Sequence, residues 1–310
     1  MPSLQANSSP LVAILMCTYN GETYLHEQVD SFYAQTYRNW ELWVSDDGSS
    51  DATLNIISDY KKRDGHPIHV CNGPQSGFSK NFLSVLERAE SGAKYFAFSD
   101  QDDIWNTEKI ERAVKWLETI PPDIPALYCS RTELVDSNGV SIGFSPLHTK
   151  PADIRNALIE NIASGNSMVF NQPARKLILT SRRPFFHDWW AYLIVCAAGG
   201  IVYYDPDPSL LYRQHQRNTI GTDKRLGATL KRLLQLWKGK DSHWISLNIA
   251  ALSDASSHIT NDSLNIINQF KATRGLSFAA RLLGFIKMKL YKQTRRGTIS
   301  YFIQIVLKRI

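Results

Sequence analysis

The sequence predicts an α/β fold: a mostly parallel, doubly wound sheet flanked by helices, followed by a helical C-terminal extension. Three observations carry that expectation. Apolar runs of strand length alternate with helix-period stretches four times before Pro121. Several of those runs end in polar turns, two of them rich in carboxylates, where an open α/β sheet presents its ligand crevice. The segment Lys271 to Ile310 holds ten Lys and Arg and no acid, with apolar residues between them.

Taken in order, Leu11 to Met16 suits a central strand buried on both faces. It ends in the turn Cys17-Thr18-Tyr19-Asn20-Gly21-Glu22, and Leu25, Val29 and Phe32 mark one face of the helix that follows. The turn lacks the Gly-x-Gly-x-x-Gly fingerprint, which disfavours dinucleotide binding. Trp40 to Val44 is the second strand, ending in Ser45-Asp46-Asp47-Gly48-Ser49-Ser50-Asp51, with Ser49 or Ser50 able to cap a helix through Leu54, Ile57 and Tyr60. Ile68 to Cys71 is the third, and Gly77 to Asn81 opens a helix through Phe82, Val85 and Leu86. The fourth, Tyr95 to Phe98, runs into Asp100, Asp102 and Asp103; a helix with Ile110, Val114 and Leu117 follows and stops before Pro121. Strands are expected at Ala126–Cys129, Ser164–Phe170 and Ile201–Tyr204, and a tight turn within Val135–Val140. A helix opens at His187-Asp188-Trp189-Trp190, and Leu211–Gly221 is either an extended stretch or a solvated basic loop. From about Arg225 the tail looks helical, with Leu226, Leu230, Leu233, Leu234 and Trp237, then Leu282–Leu290, then Phe302–Val306.

Composition bounds the reading. A chain of 310 residues, 43% hydrophobic, can bury one large α/β core with an appendage, or two cores. No apolar run approaches the ~20 residues that span a bilayer. Met1 to Pro10 has no basic residue, which argues against a secretory signal. Cys17, Cys71, Cys129 and Cys196 are scattered and read as buried thiols of a reducing compartment. The net charge is +6, so with +10 in the last segment the remainder carries −4. Basic amphipathic helices without acids suit an anionic membrane surface; helices packed on the core and a nucleic-acid patch are the rivals, packing together with membrane contact ranks first, and no nucleic-acid fold motif is visible.

The chemistry-bearing residues follow from position. Asp100 and Asp102 alternate in an extended chain and share one side, where their repulsion favours a cation between them. Mg²⁺ or Mn²⁺ binds through one or two carboxylates and completes its shell with substrate phosphates and water. An acidic turn capping the next helix, near Thr107, is the plainer reading of that triplet alone. Asp47 could accept the N3–H of uracil or thymine, or simply close a turn. Lys80 could meet a phosphate, or stand solvated. Asp188, among aromatic rings at a helix start, reads as a general base or an ordinary cap; burial would raise its pKa and the helix dipole would oppose that. Arg213, His215 and Arg217 alternate, so an extended chain puts them on one cationic or metal-binding face.

Four segments in this order make the chain resemble the family 2 glycosyltransferases of the GT-A fold: Cys17-Thr18-Tyr19-Asn20, Ser45-Asp46-Asp47-Gly48-Ser49, Asp100-Gln101-Asp102-Asp103, and His187-Asp188-Trp189-Trp190 with Tyr212-Arg213-Gln214-His215. The Ser-Asp-Gln-Asp-Asp-Ile-Trp and His-Asp-Trp-Trp runs are most similar to rhamnosyltransferases of bacterial surface polysaccharide assembly. The resemblance implies a glycosyltransferase domain over residues 1–222, with a donor half at about 11–120 and an acceptor half at about 121–222, and a basic helical extension over 223–310. It implies that Tyr19 and Asp47 hold the nucleotide base, with Thr18 and Asn20 in the same turn, and that Lys80 lies near base or phosphates. It implies that Asp100 and Asp102 form the DxD pair, Asp102 ligating the metal directly, with His215 facing the metal and Arg213 the diphosphate. Asp188 matches the catalytic base; many relatives carry Glu where this chain has His187.

The function expected is therefore an inverting, Mg²⁺- or Mn²⁺-dependent transfer of a sugar, L-rhamnose from dTDP-rhamnose, to a lipid-linked glycan at the cytoplasmic membrane face. Two rivals stand beside it: a UDP-hexose-dependent transferase, since uracil and thymine present the same N3–H, and a non-catalytic sugar-nucleotide binder on the same fold. A binder has no need of Asp188.

Overall fold

The computed structural model describes residues 9–63, 65–90, 92–215 and 240–306. Arg217, the helical stretch expected from Leu226 to Trp237, and the cations Lys308 and Arg309 lie outside the described residues.

The chain opens with β1 (Val12–Thr18), α1 (Leu25–Tyr33), β2 (Trp40–Asp46), α2 (Thr53–Lys61), β3 (Ile68–Asn72), α3 (Phe78–Arg88) and β4 (Tyr95–Ser99). A two-residue strand, β5 (Ile104–Trp105), follows, then α4 (Lys109–Leu117), β6 (Ala126–Ser130), β7 (Glu133–Val135) and β8 (Ser141–Phe144). Next come α5 (Ile154–Ala157), a single 3₁₀ turn at Gly165–Ser167, β9 (Val169–Asn171), α6 (Gln172–Ile178), α7 (His187–Ala197), β10 (Ile201–Asp205) and β11 (Leu210–Arg213). The tail contributes α8 (Lys240–Asp254), α9 (Asn261–Arg274), α10 (Phe278–Lys287) and α11 (Arg295–Val306).

Seven strands form the main sheet in the order β10-β6-β9-β4-β1-β2-β3. Only β9 runs against its neighbours, β4 and β6. The carboxyl ends of β1, β2, β4 and β6 therefore open on one edge, and the start of β9 returns to that edge. In β1 the pleat sends Ala13 and Leu15 to one layer and Val12, Ile14 and Met16 to the other, all fully buried. Each of the larger ones, Val12, Ile14, Leu15 and Met16, contributes about 1.5–3 kcal/mol of burial, which explains a run with no polar interruption. The Val12/Ile14/Met16 layer is covered by α1, α2 and α4, the opposite one by α3, α5, α6 and α7.

The tail packs on this second layer: Ile245, Leu252, Ile267, Phe270, Phe285 and Tyr301 are buried in the same apolar cluster as α7. The inner face of these helices is thus packed on the core, as expected. No described helix is long and apolar enough to cross a membrane.

A second sheet, β5-β11-β7-β8, was not legible in the sequence. Antiparallel pairing of Leu210 with Trp105 and Leu211 with Ile104 brings β11 alongside the turn after β4. Other expectations need correction. Neither Ser49 nor Ser50 caps α2, whose N-cap is Ala52, because the Ser49 hydroxyl donates to Asp46 (2.6 Å). The Asp100–Asp103 turn does not cap α4 either; the N-cap is Glu108, without a side-chain bond. Of the four thiols, Cys129 and Cys196 are buried, whereas Cys17 and Cys71 are half-buried.

Candidate active site

Two loops at the carboxyl edge are knitted together by Asp46. Its Oδ2 accepts from the Thr18 and Ser49 hydroxyls (2.7 and 2.6 Å) and its Oδ1 from the Gly48 and Ser49 amides (3.1 and 2.8 Å). Thr18 is 1% exposed, so its side chain is a strut within the loop and does not face the crevice, contrary to its expected place beside the nucleotide. Asn20 is likewise spent on the loop. It sits at φ 49°, its amide donates to Ser49 Oγ (2.9 Å), and its Oδ1 accepts from the Ser50 amide (2.9 Å). Tyr19 is exposed.

Asp47 lies at the rim, half-buried, with Oδ1 accepting from the Gln75 amide (2.6 Å). Gly73 is required beside it, since a Cβ there would fall 2.5 Å from Asp47 Oδ1. Lys80 is exposed on the first turn of α3, and its side chain has no partner among the described residues.

Gln101, inside the Asp100-Gln101-Asp102 motif, was not singled out from sequence. Its amide clamps the β1 turn to the β4 turn, accepting from Tyr19 N–H (2.9 Å) and donating to Tyr19 C=O (3.0 Å). Gly21 makes room for it: a Cβ would lie 2.3 Å from Gln101 Oε1.

The three carboxylates after β4 have separate fates. Asp103 is buried and structural: Oδ2 accepts from Asn166 Nδ2 (2.7 Å), Oδ1 from the Arg213 amide (3.1 Å), and its own amide donates to Gln28 Oε1 (3.0 Å). Behind it Lys109, fully buried, donates to the Asn166 carbonyl and lies 3.7 Å over the Trp105 ring. Burial pushes the Asp103 pKa up and the Lys109 pKa down. Asp102 faces the crevice, and its Oδ2 is 2.8 Å from His215 Nε2. Asp100 is also half-buried, and burial first, then repulsion from Asp102 and Asp188, raises its pKa to about 7.

Arg213 is corrected from its expected place at the diphosphate. It is 1% exposed, and its guanidinium donates to the Asp102 carbonyl (3.1 Å), the Ser137 carbonyl (3.0 Å) and Glu27 (2.7 Å) while lying 4.5 Å over the Tyr24 ring. Tyr24 also stacks on His215, with ring centroids 5.2 Å apart. Arg213 thus braces the backbone of the Asp102/His215 pair from behind.

Opposite, Asp188 sits in the first turn of α7. Its Oδ1 accepts from the Trp189 amide (2.7 Å), its Oδ2 from Asn161 Nδ2 (3.0 Å), and the Gly165 amide also bonds to it. Burial outweighs these bonds and raises its pKa to about 6. Trp189 and Trp190 turn into the core, where their indoles donate to the Ala157 and Ile178 carbonyls (2.7 and 2.8 Å). His187 is stacked on Phe82 (4.0 Å) and edge-on to Phe98 (5.0 Å), and neither ring nitrogen has a hydrogen-bond partner among the described residues. Burial lowers its pKa to about 3, so it is neutral. Its Nε2 would lie 2.8 Å from a Cβ at Gly165, so ring and glycine together hold the Gly165 loop against Asp188.

The donor set suits a hard divalent cation. Two half-buried carboxylates repel each other beside an imidazole already in contact with one of them, and the nearby cations Arg213 and Lys109 are turned elsewhere. Among the described residues, no three His, Cys, Asp or Glu side chains are gathered into a cage, so Asp100 stands outside any three-ligand set with Asp102 and His215.

Comparison with known proteins bears on this crevice. The model of glycosyl transferase family 2 matches residues 13–177. A dTDP-rhamnosyl transferase RfbG of Shigella flexneri is 29% identical over 309 residues, covering 94% of this chain and 98% of that protein. An uncharacterized glycosyltransferase of Haemophilus influenzae is 32% identical over 225 residues, covering 68% of this chain and 67% of the other. Among solved structures, S. aureus TarS 1-349 in complex with UDP-GlcNAc superposes with a TM-score of 0.54 at 14% identity, over 96% of this chain and 88% of that one. The mannosyltransferase PcManGT of Pyrobaculum calidifontis, in complex with GDP-Man and Mn²⁺, gives 0.52 at 16% identity, over 98% and 86%. At these identities the structures speak to fold alone.

Proposed function

This chain belongs to glycosyl transferase family 2 and is a glycosyltransferase on the GT-A fold, and from that premise we propose an inverting, divalent-metal-dependent rhamnosyl transfer from dTDP-L-rhamnose to a lipid-linked glycan in bacterial surface polysaccharide assembly. The donor follows the relative that matches over nearly the whole chain. The observation that carries the mechanism is Asp188: a half-buried carboxylate, pKa about 6, within charge-repulsion range of Asp100 across one crevice.

Asp188 takes the proton of the acceptor hydroxyl as that oxygen attacks the anomeric carbon, a role worth about 10²–10⁴ in rate. Its bonds from Trp189, Asn161 and Gly165 fix the carboxylate, and the neutral His187 beneath adds no competing charge. No enzyme nucleophile is needed, so the anomeric configuration inverts. On the donor side Asp47 accepts the N3–H of thymine and Tyr19 lies against the base. Asp102 and His215 would hold Mg²⁺ or Mn²⁺, with Asp100 beside them and donor phosphates completing the shell. Such a cation supplies Lewis-acid neutralisation of the leaving nucleoside diphosphate. The work is expected at the cytoplasmic membrane face, where a lipid-linked acceptor resides. The test is transfer from dTDP-β-L-rhamnose followed by NMR of the product: an α-linked rhamnoside supports inversion, and a β-linked one sinks it.

A further inference from the structure

The outer face of the tail is left apolar and cationic by the packing of its inner face. Phe285, Met288, Tyr301 and Ile305 point into the core. Leu283 and Ile286 (58 and 52% exposed) lie three apart on α10, and Ile299 and Ile303 (60 and 53%) four apart on α11, so each pair shares one outward face. Arg281, buried between the helices, donates to the Ile305 carbonyl (3.2 Å) and locks α10 to α11. Lys287, Lys289, Arg295 and Arg296 are exposed around these helices, and no carboxylate among the described residues pairs with them. The sequence holds no acid after Asp262.

The connection between the two helices is bonded to the segment that leads into Asn161, a partner of Asp188. Tyr291 C=O accepts from Asn156 Nδ2 (3.0 Å), and the Gln293 amide donates to Glu160 Oε2 (2.6 Å). The Gln293 side chain bonds both the amide and the carbonyl of Lys150 (2.9 and 3.0 Å). The residue after Glu160 is Asn161, which donates to Asp188.

We propose that the outer face of α10 and α11 lies on an anionic membrane leaflet, and that the 291–293 connection ties this face to the wall of the crevice that carries Asp188. The inference rests on the reading that this chain works at a membrane; it adds which face meets lipid and how the acceptor side is held to it. Charge selects the occupant. Unpaired cations around an apolar stripe match anionic headgroups over acyl chains, whereas a second copy of the same face would bring like charge against like.

The test is co-sedimentation of the full chain with vesicles of phosphatidylcholine alone and of equimolar phosphatidylcholine and phosphatidylglycerol. The wild-type chain is expected to bind the anionic vesicles, less so at raised salt. Each cation near such a surface contributes about fivefold, so R295Q/R296Q should weaken binding roughly thirty-fold. I299S/I303S and L283S/I286S should each weaken it on the order of tenfold or more. V140S/I142S, which alters exposed side chains at the β7–β8 turn, should leave it unchanged. Circular dichroism keeps folding separate, as every altered residue is exposed. Absence of wild-type binding to anionic vesicles overturns the membrane reading itself. Binding that survives in both apolar double variants and in R295Q/R296Q overturns the face assignment while leaving that reading standing. Self-association of the wild-type chain that I299S/I303S abolishes would give the face to a second copy instead. Slower amide hydrogen exchange over residues 156–161 on anionic vesicles is expected from the tie; unchanged exchange there refutes it.

Discussion

Replacing Asp188 with Asn removes the base and keeps its volume. The structure sets what else changes. An asparagine Oδ1 still accepts from the Trp189 amide, but its Nδ2 meets the Nδ2 of Asn161, which now donates to Asp188 Oδ2 at 3.0 Å. Asn161 cannot turn over freely, because its own Oδ1 accepts from the Ala163 amide at 3.0 Å. One frustrated contact costs about 1–3 kcal/mol, a tolerable loss for a domain of this size, so the variant should fold. Turnover should fall by about 10²–10⁴. The wild-type pH profile provides an internal check. Transfer needs the ionised form, so with a pKa of about 6 the rate should rise with pH and level off above neutrality. Below pH 6 it should fall about tenfold per unit. D188N should lose that limb. The assay is release of dTDP at fixed donor and acceptor across pH 5 to 9, with calorimetric titration of dTDP and Mn²⁺ as the binding control. A D188N rate within a few-fold of wild type, or an unchanged acid limb, would refute the role given to this carboxylate.

Three other expectations are more local. Mn²⁺ together with dTDP should raise the wild-type melting temperature by several degrees, in keeping with about 3 kcal/mol of linkage at a hundredfold excess over Kd, and D102N should lose most of the rise in a fluorescence melt. K109M leaves Asp103 buried against Asn166 without its nearby cation and should cost about 3–5 kcal/mol in urea unfolding, with D103N/K109M recovering part of the loss. G73A places a Cβ 2.5 Å from Asp47 Oδ1 and should raise the KM for donor while changing kcat little, as steady-state rates would reveal.

The first half of the chain was legible because its central strands, β1 and β4, are buried on both faces. Leu11–Met16 and Tyr95–Phe98 have no polar interruption, and the glycine- and aspartate-rich turns after them mark where strands end. β5 and its pairing with β11 escaped notice because a two-residue strand has no period, and its pairing with Leu210–Leu211 is a contact across about a hundred residues of sequence. Asp47, Asp100, Asp102, Asp188 and His215 could be nominated from position in a motif, and the structure brings the last four to one crevice. What position does not reveal is direction. Thr18 and Arg213 occur in the right motifs yet turn inward, Thr18 to satisfy Asp46 and Arg213 to brace Asp102. The supporting residues were missed for a related reason. Gln101, Asn161 and Asn166 are ordinary polar residues in sequence, and only their partners make them necessary. The tail gave its amphipathic pattern at once, but a pattern does not say that one face meets the core while the other keeps Ile299 and Ile303 outward.

The most direct test of the whole account is a donor screen with purified protein. dTDP-rhamnose, UDP-glucose, UDP-galactose and UDP-N-acetylglucosamine would each be offered with Mn²⁺ and again with EDTA, scoring thermal stabilisation and slow donor hydrolysis. The account predicts a response to dTDP-rhamnose that EDTA abolishes. Metal-dependent selection of a UDP-sugar would contradict the donor, and a response to dTDP-rhamnose that survives EDTA would contradict the metal.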